Sequence, residues 1–443
     1  MAHVRVIENG LVVTMDDENS ILEKGYVVIN DDRISEMGSG ECEIDADESI
    51  NASGCVVMPG LVTAHTHLYG ILLRGATLDI EPPSDFAQVL QRVWWPLDEK
   101  LTLGDAYASG LSASADLLKN GSTFLADTYS GPNSIEGSLD RIADATNRLG
   151  IRALLAFEMT ERHTEEEASR GLEENIRFAG ECDSCQNLAS LMVSIHASFT
   201  VSDELIEQSA AKAEQLGVPL TIHTSEGAVD LYHNLEQYGE RTVERLHRLG
   251  ALGENTVLAH CVHVNDEELN LIAKTDSRVA HNPMSNNLNA VGTAPVPEML
   301  SRGIKVGLGN DGWIFDPFEN MRCAYTIHKL SHRNPSIISP LQVVRMATID
   351  GARCYNLESE IGSLEAGKAA DIVVIDGGRA PTPLTSESVI GHIVNTFSGR
   401  DVRDTMVNGE PVVRNGRLTR MDESEVVKAS REAARDLWSR MSG

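Results

Sequence analysis

Gly60-Leu-Val-Thr-Ala-His65-Thr-His67 closes an apolar run that begins near Val57 and ends in two histidines spaced two residues apart. On a β-strand, residues i and i+2 share a face, so both imidazoles point to the same side. Polar rings at the end of a buried strand are costly unless something binds them. The strand end is therefore the candidate site, and the rest of the chain is read for what else reaches it.

Seven further stretches have the same character: Ser122 to Thr128, Arg152 to Met159, Leu188 to Ala197, Pro219 to Ser225, Thr256 to Val264, Ser277 to Pro283 and Ile304 to Asp311. Amphipathic helical sequence separates each from the next. With Val57 to His67 they make eight strands alternating with helices, which predicts an α/β fold, a (β/α)8 TIM barrel with its active site at the carboxyl ends of the strands. A doubly wound parallel sheet is the alternative, and the count of eight favours the barrel. Both termini read differently. Val4-Arg-Val-Ile7, Leu11-Val-Val-Thr14 and Gly25-Tyr-Val-Val-Ile29 are short strands between Asn-Gly and Asn-Asp-Asp turns, and Asp371 to Ile375, Ile390 to Val394 and Asp404 to Val413 repeat the style. The expected organisation is a small β-sandwich domain from residues 1–58 and 356–420, a barrel over 59–355 and a C-terminal helix over 421–443.

Composition narrows the partners. Asp and Glu number 66 against 37 Lys and Arg, giving a net charge of -29. That balance opposes phosphate backbones and anionic headgroups, so neither nucleic acid nor membrane is an expected partner. The chain holds no apolar run long enough to span a bilayer, and its start lacks the basic-then-apolar layout of a signal peptide, so a cytoplasmic location is expected. Seven scattered cysteines, an odd number, argue for reduced thiols rather than a disulfide framework.

Chemistry-bearing residues recur at the strand ends. Leu220-Thr-Ile-His223-Thr-Ser-Glu226 places a carboxylate three residues after a histidine; Val257-Leu-Ala-His260-Cys-Val-His263 and Val306-Gly-Leu-Gly-Asn-Asp311 follow. If the strands close in order, the first, fifth, sixth and eighth aim imidazole or carboxylate at one mouth. Three neutral imidazoles and a carboxylate can hold a divalent ion with one position open, lowering the pKa of bound water to about 7. In such a site Asp311 can take the water's proton, Glu226 can protonate a ring nitrogen of a substrate, and His260 can steady the attacking oxygen.

Several motifs together resemble the amidohydrolase superfamily, in its cytosine-deaminase-like, chlorohydrolase-related aminohydrolase branch. They are Met58 to His67, His223-Thr-Ser-Glu226, Ala259-His-Cys-Val-His263, His281-Asn-Pro-Met-Ser-Asn286, Gly307-Leu-Gly-Asn-Asp311-Gly and Gly362 to Asp371. Within the branch, Trp94-Trp-Pro-Leu-Asp98, Asn133 to Asp140 and His196-Ala-Ser-Phe-Thr200 are similar to SsnA-type aminohydrolases. The resemblance implies His65, His67, His223 and Asp311 as ligands of one divalent metal ion, zinc ahead of iron, with Glu226, His260 and Asp311 in proton transfer. Binuclear relatives carry a carboxylated lysine at the end of the fourth strand; here that strand ends Val193-Ser-Ile-His196-Ala-Ser, which implies a single ion. By the same likeness His196 contacts substrate, and dimers or larger homo-oligomers are common in the branch.

Weaker signals complete the reading. Asp98, Glu158 and Arg162 could read the hydrogen-bonding edge of a heterocycle, with structural ion pairs as the competing account. Trp313, Phe315 and Phe318 could stack on a planar substrate or simply pack their loop. Arg74 suits a substrate contact or a helix cap, and His281 and Asn286 should brace the Asp311 end of the barrel. His247, His328, His332 and His392 read as surface or packing residues, and the acidic stretch Glu161 to Glu174 as a solvated helix face. His163-Thr-Glu165 with Cys182-Asp-Ser-Cys185 echoes the signature of the cytidine-type zinc deaminases, but Glu181 stands where that signature has proline. The leading expectation is a mononuclear metal-dependent aminohydrolase that deaminates a purine-, pyrimidine- or pterin-type small-molecule heterocycle and releases ammonia. Cyclic-amide hydrolysis, triazine dechlorination and a non-catalytic binding role on the same fold are the alternatives.

Overall fold

The computed structural model describes residues 3–180 and 188–442. Its centre is a parallel sheet whose strands follow the chain: β1 (Leu61–Thr66), β2 (Ser122–Tyr129), β3 (Arg152–Met159), β4 (Val193–Ala197), β5 (Leu220–Thr224), β6 (Thr256–His260), β7 (Arg278–His281) and β8 (Val306–Leu308). Nearly every residue of these strands is buried, because helices cover the outside and side chains fill the inside. The eight strands form a nearly closed barrel. Its seam is made at the carboxyl ends: Thr66 bridges Asp311, the amides of Asn310 and Asp311 donate to His65 O at 3.0 and 3.2 Å, and His67 N donates to Asp311 O at 3.2 Å. Gly309 is required there, since a Cβ would lie 2.2 Å from Asn282 Oδ1 and 2.8 Å from His65 O.

A second sheet draws on both termini. Cys55–Pro59 lies between Val4–Val13, with which it runs parallel, and Ile372–Asp376, with which it runs antiparallel. Alternation assigns its faces: Val57, Ile372 and Val374 join an apolar cluster with Val12, Val27 and Ile29, while Val56, Met58, Val373 and Ile375 pack with the barrel's helices. The helix Glu423–Met441 starts on an Asp422 cap and packs on the helix Leu103–Lys119. Trp438 Nε1 donates to Leu72 O at 2.8 Å, which ties this helix to the turn after His67. Its Leu437 is fully buried, worth about 1.5–3 kcal/mol. Among the described residues no helix is long and apolar enough to cross a membrane.

Three local expectations are corrected. Val57 to His67 is two strands, not one: the chain leaves the terminal sheet at Pro59 and enters β1 at Leu61, with Gly60 N donating to Asp371 O at 2.9 Å. Ile390 to Val394 is helical, within Val389–Asn395, because Val389 and Ile393, four apart, pack between the helices Pro317–His332 and Pro340–Met346. Packing there overrides the β-branched composition. The acidic stretch is only partly solvated. In the helix Glu165–Ala179, Glu174 is buried, accepting from Gly137 N at 3.0 Å and pairing with Arg177 at 2.8 Å.

Candidate active site

Strand ends position the polar side chains. His65 and His67 leave β1, His223 is the penultimate residue of β5, His260 ends β6 and Asp311 follows β8. One donor atom each from His65, His223, His260 and Asp311 lie within 4.8 Å of one another. His67 Nε2 is 3.1 Å from both His223 Nε2 and Asp311 Oδ1. His260 and Asp311 adopt left-handed backbone angles, φ 74° and 56°, as does Ser225 at 49°. Such residues cost on the order of 1–3 kcal/mol each and persist where the surroundings fix them.

The outer nitrogens of three rings are already engaged. His67 Nδ1 donates to Thr128 O at 2.8 Å, His223 Nδ1 to His196 O at 2.7 Å and His260 Nδ1 to Asn286 Oδ1 at 2.8 Å. These bonds fix each ring with Nε2 toward the common centre, the arrangement that metal-binding histidines use. His65 Nε2 and His260 Nε2 are buried with no hydrogen-bond partner. An orphaned polar atom of that kind costs about 1–3 kcal/mol, and a cation among these donors supplies the missing interaction. Nitrogen-rich donors with one carboxylate suit zinc or iron, so the residues present fit one divalent ion.

Electrostatics follows from burial. Burial and the neighbouring His223 hold His65 well below the usual histidine value, and burial takes His223 down to about 3. Burial also pushes His67 down, but its contact with Asp311 outweighs this and holds the ring at about 10, so proton and metal compete for one nitrogen. Glu226 lies 3.6 Å from His260 Nε2 through its Oε2. Burial, then the charge of Asp311, raises its carboxyl well above the usual range.

A cleft of about 580 Å³, counting the part open to solvent, leads to this centre. Phe86, Leu90, Trp94, Trp95 and Phe199 form its apolar wall, and Asp98, Glu158 and His196 its polar one. Burial lifts Asp98 to about 6, against the opposing charge of Arg162, and lifts Glu158 to about 7. Asp98 Oδ1 and Glu158 Oε2 have no hydrogen-bond partner. Asp98, Glu158 and His196 thus line the cleft. Arg162 and Trp313 do not: Arg162 stands behind Asp98, bonded at 2.9 Å, and Trp313 packs edge-on against Trp94 at 5.2 Å between centroids.

The other expectations sort by position. Asn286 braces His260 rather than Asp311, and His281 Nε2 meets the buried His328 Nε2 at 3.2 Å. Arg74 caps the short helix Leu68–Leu73 and pairs with Asp116 at 2.8 Å. Phe315 is buried in its loop, and Phe318 is buried in the first turn of the helix Pro317–His332. His163 pairs with Glu167 and Glu99, and Cys182 and Cys185 lie outside the described residues. Sequence reasoning passed over Thr128, Ser285 and Asn289. Ser285 lay inside the quoted motif His281 to Asn286; Thr128 and Asn289 carried no signal of their own.

Comparison with known proteins agrees with this geometry. The model of the amidohydrolase family matches residues 56–412. A 5'-deoxyadenosine deaminase of Methanosarcina mazei is 36% identical over 441 residues, covering 98% of this chain and 99% of that protein. A 5-methylthioadenosine/S-adenosylhomocysteine deaminase of Bacillus cereus is 33% identical over 435 residues, 96% and 97% of the two chains. The crystal structure of an adenosine deaminase from Xanthomonas campestris with bound zinc is similar with a TM-score of 0.90 at 25% identity, over 98% of each chain. By the extent of these matches and by its barrel, the chain belongs to the amidohydrolase family.

Proposed function

We propose that the protein is a mononuclear metal-dependent aminohydrolase, a hydrolase of carbon-nitrogen bonds outside peptides, which replaces the exocyclic amine of an adenine nucleoside with oxygen and releases ammonia. The observation that carries the reading is the convergence of His65, His67, His223, His260 and Asp311 beside the buried carboxyl of Glu226 at the floor of the cleft. His65, His67, His223 and Asp311 would hold the ion, and zinc is favoured by the nitrogen-rich donor set. When bound, a divalent ion would lower the pKa of a water molecule to about 7. The remaining work belongs to side chains. His260, kept neutral by burial, accepts a hydrogen bond from that water through Nε2 and aims its lone pair at the amine-bearing carbon. Glu226 delivers its proton to the adjacent ring nitrogen, so the ring does not accumulate negative charge as the carbon becomes tetrahedral. Asp311 would take one proton of the water and pass it to the exocyclic nitrogen; the carbon–nitrogen bond then breaks to release ammonia, and the hydroxyl's remaining proton returns to Glu226 as the ring carbonyl forms.

The adenine nucleoside rests on the names of the relatives and on the shape of the cleft. The Trp94, Trp95 and Phe199 wall suits a planar ring, and the free oxygens of Asp98 and Glu158 suit hydroxyl or N–H donors. Within this reading the enzyme is a cytoplasmic homo-oligomer with a small heterocycle as its only substrate; gel filtration against the 48.1 kDa chain tests the assembly. The deciding experiment offers zinc-loaded protein a panel of adenine nucleosides, guanine, cytosine and pterins. Ammonia should appear with a product in which NH is exchanged for O. A product heavier by one water, or no turnover of any member, refutes the proposal.

A further inference from the structure

We infer that the short helix Pro283–Leu288, with its terminal Asn289, is an orienting clamp that decides which oxygen of each catalytic carboxylate is free for chemistry. The inference rests on the aminohydrolase reading above and adds positioning residues to it. Ser285 Oγ donates to Asp311 Oδ2. Asn289 Nδ2 donates both to Glu226 Oε1 at 3.3 Å and to Ser285 Oγ at 3.2 Å. Asn286 Oδ1 accepts from His260 Nδ1 at 2.8 Å. Three side chains of one turn therefore grip the three groups to which proton transfer is assigned. Residues 285 and 289 are four apart and share a helix face, which lets the pair bridge Glu226 to Asp311 in an unbroken chain.

The consequence is a division of labour between oxygens. With Oδ2 of Asp311 tied to Ser285, its Oδ1 is turned to His67 at 3.1 Å and His65 at 3.9 Å. With Oε1 of Glu226 tied to Asn289, its Oε2 faces His260 Nε2 at 3.6 Å. Ser285, Asn286 and Asn289 are buried, so water does not compete for these bonds. The helix is itself held: Pro283 occupies its first turn, and it packs against the helix Pro317–His332. A rigid support of this kind is what keeps catalytic groups within about 0.5 Å of working geometry.

The test uses the full-length protein and two readouts, zinc affinity by chelator competition and steady-state kinetics. Ser285→Ala should weaken zinc binding about 10–100-fold, the usual cost of losing an outer partner of a ligand, and Ser285→Thr, which keeps the hydroxyl, should restore it. Asn289→Leu should lower kcat at least about 10-fold while KM and zinc affinity stay within about 3-fold of the parent. The double variant should lose less than the product of the single losses, because Asn289 acts partly through Ser285. Should Asn289→Leu fail to fold, Asn289→Asp, which keeps the size but replaces the donor, should show the same kcat loss. Parent-like zinc affinity in Ser285→Ala, or parent-like kcat in both Asn289 variants, overturns the clamp. A zinc-loaded parent that deaminates nothing refutes the activity instead, and the Ser285 zinc affinities still decide the clamp.

Discussion

Replacing Glu226 by glutamine removes one proton and little else. The amide has the size of the carboxyl, its oxygen can still accept from Asn289 Nδ2, now 3.3 Å from Oε1, and its NH2 can face His260 Nε2, now 3.6 Å from Oε2. Fold, cleft and metal donors are untouched, so the loss isolates proton delivery to the ring nitrogen. General acid catalysis by a positioned side chain is worth about 10²- to 10⁴-fold. The upper half of that range applies here, because Glu226 is buried and Asn289 holds one of its oxygens in place. The barrier should rise by about 4–5.5 kcal/mol. The assay is ammonia release by zinc-loaded parent and Glu226→Gln at saturating substrate, with zinc content and substrate binding measured on the same samples. Substrate binding should stay within about 3-fold, since the interaction matters only in the transition state. A variant within 10-fold of the parent kcat at full zinc occupancy would show that the ring proton comes from elsewhere and refute the reasoning.

Three further outcomes are expected. His223→Ala should bind zinc far below one equivalent by atomic absorption, and chelator should then no longer lower its thermal midpoint as it does that of the parent. Arg245→Met should cost about 2–4 kcal/mol in urea unfolding, because the fully buried guanidinium bonds the carbonyls of Ser198 and Val201 and its loss leaves those oxygens unpaired at about 1–3 kcal/mol each, while Asp203 keeps Arg248; a loss under about 1 kcal/mol contradicts this. Glu158→Gln should become more stable than the parent as pH rises. Burial lifts the Glu158 carboxyl from 4.5 to about 7 in the folded protein, so its stabilising contribution is complete below pH 4.5 and lost by about 3 kcal/mol as pH passes 7. Urea midpoints of chelator-treated parent and variant should coincide near pH 4.5 and separate in favour of the variant at pH 8.

The strand ends were legible because burial and charge conflict there. A histidine or carboxylate closing an apolar run must be bound to something, and six such residues, His65, His67, His223, Glu226, His260 and Asp311, came together once the strands closed. Strand boundaries were less legible. In Val57 to His67 only the Pro59-Gly60 dipeptide, a turn signal, marks the passage from one sheet to another, and the apolar run on either side hides it because both sheets bury it equally. Ile390 to Val394 failed for a related reason: a β-branched run fits a buried strand or a buried helix, and the helices beside it decide. The neutral residues of the site carried least. Ser285, Asn289 and Thr128 are ordinary polar residues whose importance lies in a partner far along the chain, and no local period reveals such a partner. Arg162 and Trp313 show the converse, since proximity in sequence to strand ends placed them near the cleft without saying that Asp98 and Trp94 stand in front of them.

The seam between β8 and β1 carries a temporal consequence. The backbone contacts that zip the last strand onto the first run through His65, His67 and Asp311, the same residues whose side chains gather at the centre. During synthesis Asp311 leaves the ribosome after every other donor, so a nascent chain lacks its full set until nearly the whole cylinder has emerged. Closure of the cylinder and completion of the polar cluster thus arrive in a single event.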